Sequence, residues 1–511
     1  MKTINRLPAR SASAKAGKGR REREENLLRF VVRKGFIYNQ FAARCLMKKY
    51  LLILIIAIVG VILFTNAFTR EGTTKKIRLR KPDIVDLVFV NYNNWSYVMR
   101  NNGSYMYDPI DADHNNNKAG GEFPRGSGIT IVYAGGVYIG AIKDGVPVVS
   151  ETEFATEFQP GRIINSGVSF GLLKAENPLS PSQQVYLIDR TRAGEDYHNW
   201  PEDALRDQFG NPALIADAQT WAVFNDIDTS LISEPLSESP NPGLGIQVTM
   251  ESYAFNAPKI GDVVYFRFIL ENKTDTPYSQ TYFGAWSDPD VRPNAANDLL
   301  GTDTSRGMVF AYNNTNETPN DRVVGFDFLQ GPVVHTSQIP QRDLNRYQNN
   351  RTVLNYDPEQ NRFVPEILDA NLIVLGPVTS FSFAGSLDPV DNMERYNLMR
   401  GADRTTGNMK SGCGLDDYFV FRGNPLTEQG TCDVAGSHNP LGGIYATAAD
   451  QRMAIATGPF AIKAGESQEI WVGVVGASGN NRLDAVANLF ATDDIAQSFF
   501  DAGFPSPAPP E

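Results

Sequence analysis

At 511 residues, with 42% hydrophobic and 21% charged side chains, the chain is long enough for two or three domains and is ordinary globular material, which excludes a disordered one. Its net charge of -11 conceals an asymmetry: residues 1–46 carry about 12 basic and about 3 acidic side chains, and residues 68–511 about 33 basic and about 55 acidic. A body this acidic has no electrostatic reason to seek nucleic acid or anionic lipid, but it attracts divalent cations.

The chain begins with a basic extension, 1–46, read as a start-site artefact or a cytoplasmic tail. Lys48 and Lys49 then precede an apolar run from Leu51 to Phe64. About 14 residues is short for a membrane-spanning helix and right for the apolar part of a signal peptide. Thr65 and Ala67 supply the small residues of a cleavage site. The segment 47–67 is therefore expected to be a signal peptide, with an uncleaved anchor through 51–64 as the alternative. The body would then start near Phe68 and be secreted or held at the cell surface, meeting a membrane only through that apolar segment.

With 44 Gly, 31 Pro and 11% aromatic residues, the body favours strands and turns. In the loop Asp111–Glu122, Asp111, Asp113, Asn115 and Glu122 occupy the first, third, fifth and twelfth places of a calcium loop, although Asn116 stands where glycine is wanted and no amphipathic helices flank it. A plain solvated Asn/Asp loop is the competing reading. Gly128–Val149 reads as strand, Gly-Gly turn, strand and an Asp144-Gly145 hairpin turn. Gly167–Gly171 matches the GxSxG nucleophile elbow with Ser169 at its centre, but no βαβ pattern follows, and it reads better as strand. Trp200–Gly210 suggests a short helix after Pro201, and Asn225–Asp228 is a further acidic cluster that would share a cation with the next one if strands brought them together.

Gly261–Thr274 reads as a long strand ending in a turn. Trp286–Gly307 then packs four aspartates, Asp288, Asp290, Asp298 and Asp303, with only Arg292 and Arg306 as cations. Calcium takes six to eight oxygens and tolerates irregular loops, so a Ca²⁺ site is one reading, with Gly301 permitting a bend. A polar loop paired to its arginines, or a catalytic carboxylate cluster, are the others. Thr336–Gly412 has no readable pattern. Cys413 and Cys432 form an even pair in an oxidising compartment, and one disulfide closing a loop of about 20 residues would contribute about 3 kcal/mol; two free thiols are the alternative. Zinc is not indicated, since no CxxC spacing occurs and the four histidines are scattered. Phe460–Ala477 reads as strand, Ala-Gly turn and buried strand. Asn480 or Asn481 caps a helix carrying Leu483, Val486 and Phe490 on one face and stopped by Gly503. The proline-rich residues 506–511 read as the start of a linker.

Several pieces in this order, "GGEFPRGSGITIVYAGGVYIGA", "TWAVFNDID", "YFGAWSDPDV", "VVGFDFLQGP", "DYFVFRGNP" and "MAIATGPFAIKAGESQEI", resemble those of uncharacterised secreted proteins of the Bacteroidota and related bacteria. Many of that family carry a C-terminal sorting domain for type IX secretion, which does not follow "FPSPAPPE" here. The resemblance implies a secreted or surface-exposed, β-rich body and supplies no enzymatic activity.

The expected fold is mainly β, two or more packed β-sandwich-like modules with one C-terminal helix, divided as 68–235 and 236–505. The expected role is structural or adhesive, without catalysis, stabilised by Ca²⁺ in the Asp-rich loops, with surface or matrix components as partners and no nucleic acid. The rival is a carbohydrate-binding module or a glycoside hydrolase. Such a protein would stack sugars on Trp95, Trp200, Trp221, Trp286 or Trp471, or hold two carboxylates, drawn from Asp288, Asp290, Asp226 and Glu157, about 5 to 10 Å apart.

Overall fold

A computed structural model describes residues 76–77, 85–108, 120–154, 156–228, 243–291, 298–315, 320–384, 388–409, 418–427 and 449–505. The N-terminal extension, the apolar segment, Asp111, Asp113, Asn115, Cys413, Cys432 and the proline-rich tail lie outside them. Thr74–Glu511 forms one compact unit.

In chain order the strands are β1 (Lys76–Ile77), β2 (Leu87–Val90), β3 (Ser96–Arg100), β4 (Gly121–Glu122), β5 (Thr130–Lys143), β6 (Val146–Glu151), β7 (Gln159–Pro160), β8 (Tyr186–Asp189), β9 (Ala218–Asn225), β10 (Ile246–Ala254) and β11 (Val263–Asn272). They continue as β12 (Tyr278–Pro289), β13 (Asp298–Asp303), β14 (Met308–Asn313), β15 (Asp321–Gln330), β16 (Val333–His335), β17 (Thr352–Asp357), β18 (Arg362–Ile367), β19 (Leu372–Val374), β20 (Pro377–Ala384), β21 (Gln451–Ile462) and β22 (Ser467–Gly479). The helices are α1 (Glu195–His198), α2 (Gln341–Tyr347), α3 (Asn392–Met399) and α4 (Arg482–Asp501).

Two nine-stranded sheets carry the fold: β1-β2-β3-β4-β5-β12-β21-β20, with β6 on β5, and β13-β14-β15-β22-β11-β10-β9-β7, with β8 on β9. The fold is mainly β, as expected, with sandwich packing and a C-terminal helix. The division at 235/236 does not hold: β5 lies beside β12 in the first sheet and β9 beside β10 in the second, so each half completes the other's sheets. Neither half could leave without exposing a row of unpaired backbone groups.

Alternation along β12 shows how the layers form. Phe283 points between the sheets, its ring 5.2 Å from Phe268 and 6.1 Å from Phe328. Its neighbours turn the other way, Tyr282 onto Tyr396 of α3 at 5.5 Å and Trp286 onto Phe154 at 5.3 Å. The outer face of the second sheet is closed by α4 and by the β17–β18 hairpin, where Phe363 and Phe500 pack on Trp471 at 5.0 and 5.3 Å. Both sheets are therefore covered on both faces, which explains strands that are apolar almost throughout rather than alternating.

Local signals behave unevenly. Asp144 and Gly145 adopt φ of +52° and +83° and form the expected hairpin turn between β5 and β6. Gly135-Gly136 is not a turn, because β5 runs straight through it. A Cβ on Gly135 would sit 2.3 Å from the Tyr105 ring and one on Gly136 2.2 Å from the Thr152 carbonyl oxygen, so close packing requires these glycines. Asn481 caps α4, its side chain accepting from the Leu483 and Asp484 N–H groups, and Gly503 follows at φ +73°. Pro201 starts no helix; that stretch is a set of turns. The unreadable stretch after Thr336 holds α2, the β17–β18 hairpin, β19, β20 and α3.

Candidate functional site

The aspartates of Trp286–Gly307 sit where the chain leaves β12 in one sheet and enters β13 in the other. Antiparallel pairing of β12 with β21 sets Ser287 opposite Met453 and so brings Arg452 beside Asp288. A bridge between Asp298 and Ala449 draws Asp450 to the start of β13, and the Asp290 N–H donates to the Ile131 carbonyl at 3.0 Å. Asp288, Asp290, Asp298 and Asp450 thus gather here, and among the described residues Arg452 is the guanidinium beside them; Arg292 lies outside those residues.

That guanidinium does not satisfy them. Arg452 Nη1 reaches Asp450 at 2.6 Å and Nη2 reaches Asp288 at 3.6 Å. Asp298 is fully buried and, among the described residues, neither of its oxygens has a hydrogen-bond partner of good geometry; Asp288 Oδ1 has none either. Burial pushes the Asp288 carboxyl well above the usual range against the opposing pull of Arg452. Burial, then Asp450, pushes Asp290 up to about 6. Burial, with Asp290, Asp288 and Asp450, pushes Asp298 up to about 10, and the Val291 N–H turned toward it opposes this only weakly. Such a group must hold a proton or meet a cation. Among the described residues, no three His, Cys, Asp or Glu side chains stand close enough together to hold a metal ion as they are placed.

Other buried acids in this fold show what satisfaction looks like. Asp226 accepts from Ser150 Oγ at 2.7 Å and from the N–H groups of Leu244, Gly245 and Ile246 at 2.7, 2.8 and 2.9 Å. It is a staple inside the sandwich, with its oxygens taken up by these donors. Glu251 and Glu469 take Arg267 at 2.9 and 2.6 Å. Glu151 beneath α3 is a less settled case: Arg395 pairs with it and Tyr138 donates to Glu153, yet burial and Glu153 push the Glu151 carboxyl well above the usual range.

Asp303 does not join the cluster, because β13 carries it to the other end of the strand. There it takes Arg306 Nη1 at 2.6 Å, Ser305 Oγ at 2.6 Å and the Ser305 N–H at 2.9 Å. Burial pushes its carboxyl up, but the bonds from Ser305 and Arg306 outweigh this and hold it below the usual range. Arg306 also grips Asp494 of α4 with Nε and Nη2 at 3.0 and 2.9 Å and stands 3.8 Å from Asp493. Behind them Asp327 is fully buried with both oxygens unpartnered. A cleft of about 690 Å³ opens beside this group. Gly301 supplies no bend: it lies within β13, where a Cβ would sit 2.2 Å from the Phe310 ring.

The remaining candidates do other things. Glu122 lies in β4, and its Oε1 accepts the Gly128 N–H at 2.6 Å, which closes a turn. Ser169 caps a 3-10 turn rather than lying in a strand, and its hydroxyl donates to Asp275 at 2.9 Å on the surface. All five tryptophans are buried, Trp200 at 4% being the most exposed. They are core residues and form no stacking platform. Sequence reasoning missed Asp450, Arg452, Asp327 and Asp493. For Asp493 a signal existed: it shares the apolar face of α4 with Leu489, Phe490, Ala496 and Phe500, an unusual place for a carboxylate.

No family model matches the chain, and no curated protein matches it. Among solved structures, the GH36 α-galactosidase AgaA from Geobacillus stearothermophilus, in complex with raffinose, is similar at 10% identity and a TM-score of 0.27 over 80% of this chain. The chain spans 42% of that protein, and a likeness of this size decides neither fold nor chemistry.

Proposed function

We propose that this chain is a structural or adhesive β-sandwich protein working outside the cytoplasm, without a catalytic role, whose sheet-crossing end is locked by Ca²⁺ among Asp288, Asp290, Asp298 and Asp450. The observation that carries the cation reading is Asp298, fully buried with neither oxygen partnered among the described residues, near three further carboxyls of which Asp288 and Asp450 share Arg452. Every unmet oxygen there is a ligand of the type calcium takes. The structural reading is supported by where the other acids act: Asp226 organises backbone, and Glu251, Glu469 and Glu151 hold arginines inside the packed layers. The export reading rests on the apolar segment 51–64 and the acidic body that follows it.

The test is a melting curve of the full chain with calcium and with chelator. Calcium should raise the melting temperature, and Asp288→Ala with Asp290→Ala should abolish the response. An identical curve in chelator and in calcium would remove the cation from the reading.

A further inference from the structure

We propose that the cleft between the turn after β13, α2, β17 and α4 binds a neutral polyhydroxylated ligand, a sugar or short glycan. The inference names a ligand for the adhesive reading but does not depend on the calcium site.

The cleft is a built one. Its volume of about 690 Å³ falls within the usual 300–1,000 Å³ of small-molecule sites. One wall is Arg306, fixed in place by its two-pronged grip on Asp494 and its bond to Asp303. Facing groups are Arg346 of α2, Asn350 and Thr352, with Tyr347 and Phe500 giving apolar surface. Asp493 lines the cleft, is only 2% exposed, and its Oδ1 has no partner. That oxygen is sealed from solvent, so a ligand donor reaches it only where the cleft wall yields.

The charges select the ligand class. The lining carries Arg306 and Arg346 against Asp493, Asp494 and Asp501, and Arg306 already neutralises Asp494. A cation settling on Asp493 would meet Arg306, which stands 3.8 Å away. An anion would meet the three aspartates. A neutral ligand escapes both penalties, provided that it can donate to carboxylates and accept from guanidinium and amide groups. Hydroxyl groups do both at one atom, and vicinal pairs of them match the two oxygens of a carboxylate or the fork of an arginine. The C–H face of a sugar ring covers surface such as Tyr347 and Phe500. Burial, offset by Arg306, pushes Asp493 up to about 7, so this residue can both accept and donate near neutral pH.

The experiment is calorimetric titration of the full chain, in chelator, with maltotriose, cellotriose, mannotriose and chitotriose. At least one should bind saturably. Asn350→Ala with Thr352→Ala, both on exposed side chains, should weaken it about tenfold, the loss expected for one or two hydrogen bonds, without moving the melting temperature. Asp493→Asn, which keeps the shape but removes an acceptor, should weaken it further. No saturable sugar binding, or an affinity unmoved by the Asn350 and Thr352 changes, overturns the proposal. Spermidine, citrate or tetraglycine filling the cleft in place of sugar overturns it as well. Because the titration is run in chelator, its failure is distinct from failure of the calcium reading.

Discussion

Replacing Asp290 by Asn should make the protein more stable, not less, when no cation is present. The Asp290 carboxyl is pushed up to about 6 by burial and then by Asp450, against Arg452. An unfolded chain holds an aspartate near about 3.9. The folded state therefore keeps this proton to higher pH than the unfolded state does. Below about pH 4 both states are protonated and nothing is lost; as pH rises through about 6 the native state alone carries the strain of ionising. A gap of about two pKa units corresponds to about 3 kcal/mol lost by pH 7. At about 2.1 cal/mol/K per residue over the about 440 residues of Thr74–Glu511, that is about 3 °C in melting temperature. Asn has no such charge, so in chelator the melting temperature of Asp290→Asn relative to wild type should be about 3 °C higher at pH 7 than at pH 4. An unpaired buried amide costs about 1 kcal/mol at both pH values, which leaves the pH dependence intact. With calcium at pH 7 the order should invert, because the variant has lost a ligand. Differential scanning calorimetry of both proteins at the two pH values settles it. An offset that does not change between pH 4 and pH 7, or a variant that melts lower only as pH rises, refutes the reasoning.

Arg395→Met should be severe, since it strands the fully buried Glu151 beside Glu153 and Glu157 without a guanidinium. The expected loss is about 3–5 kcal/mol by denaturant unfolding, and adding Glu151→Gln should recover more than half of it, whereas purely additive losses would contradict the pairing. Asn481→Ala removes the acceptor for two N–H groups at the start of α4 and should cost about 1 kcal/mol, seen as a melting temperature about 1 °C lower. Iodide should quench tryptophan fluorescence only weakly in the native state, because all five indoles are buried; strong quenching would put at least one on the surface.

What could be read in the sequence was local. The Asp144-Gly145 turn, the capped helix and the long strands are each decided by neighbours within a few residues, and each formed. Domain division was not legible, because strand order depends on contacts between positions far apart: β5 meets β12 across more than a hundred residues. Gly135-Gly136 misled for the same reason. Two adjacent glycines mark a turn when only the backbone is considered, whereas here the Tyr105 ring and the Thr152 carbonyl occupy the space that side chains would need. The three aspartates that converge were recognisable as an acidic stretch, but their partners Asp450 and Arg452 arrive just before and at the start of β21, about 150 residues later, and no spacing rule reaches them.

Asp298 and Asp303 begin and end the same short strand, and their fates differ for one reason. Asp303 meets Arg306 and Ser305 within its own turn, and those bonds overcome burial and keep its carboxyl low. Asp298 enters the strand where three other acids arrive and where, among the described residues, Arg452 faces Asp288 and Asp450. The acid content of a stretch therefore does not decide whether it binds a cation; the countercharge delivered by the rest of the fold does. At one end of β13 that countercharge is built in, and the space beside it is open to a neutral ligand. At the other end, among the described residues, the carboxyls outnumber the arginine beside them, and a proton or a cation is what burial there demands.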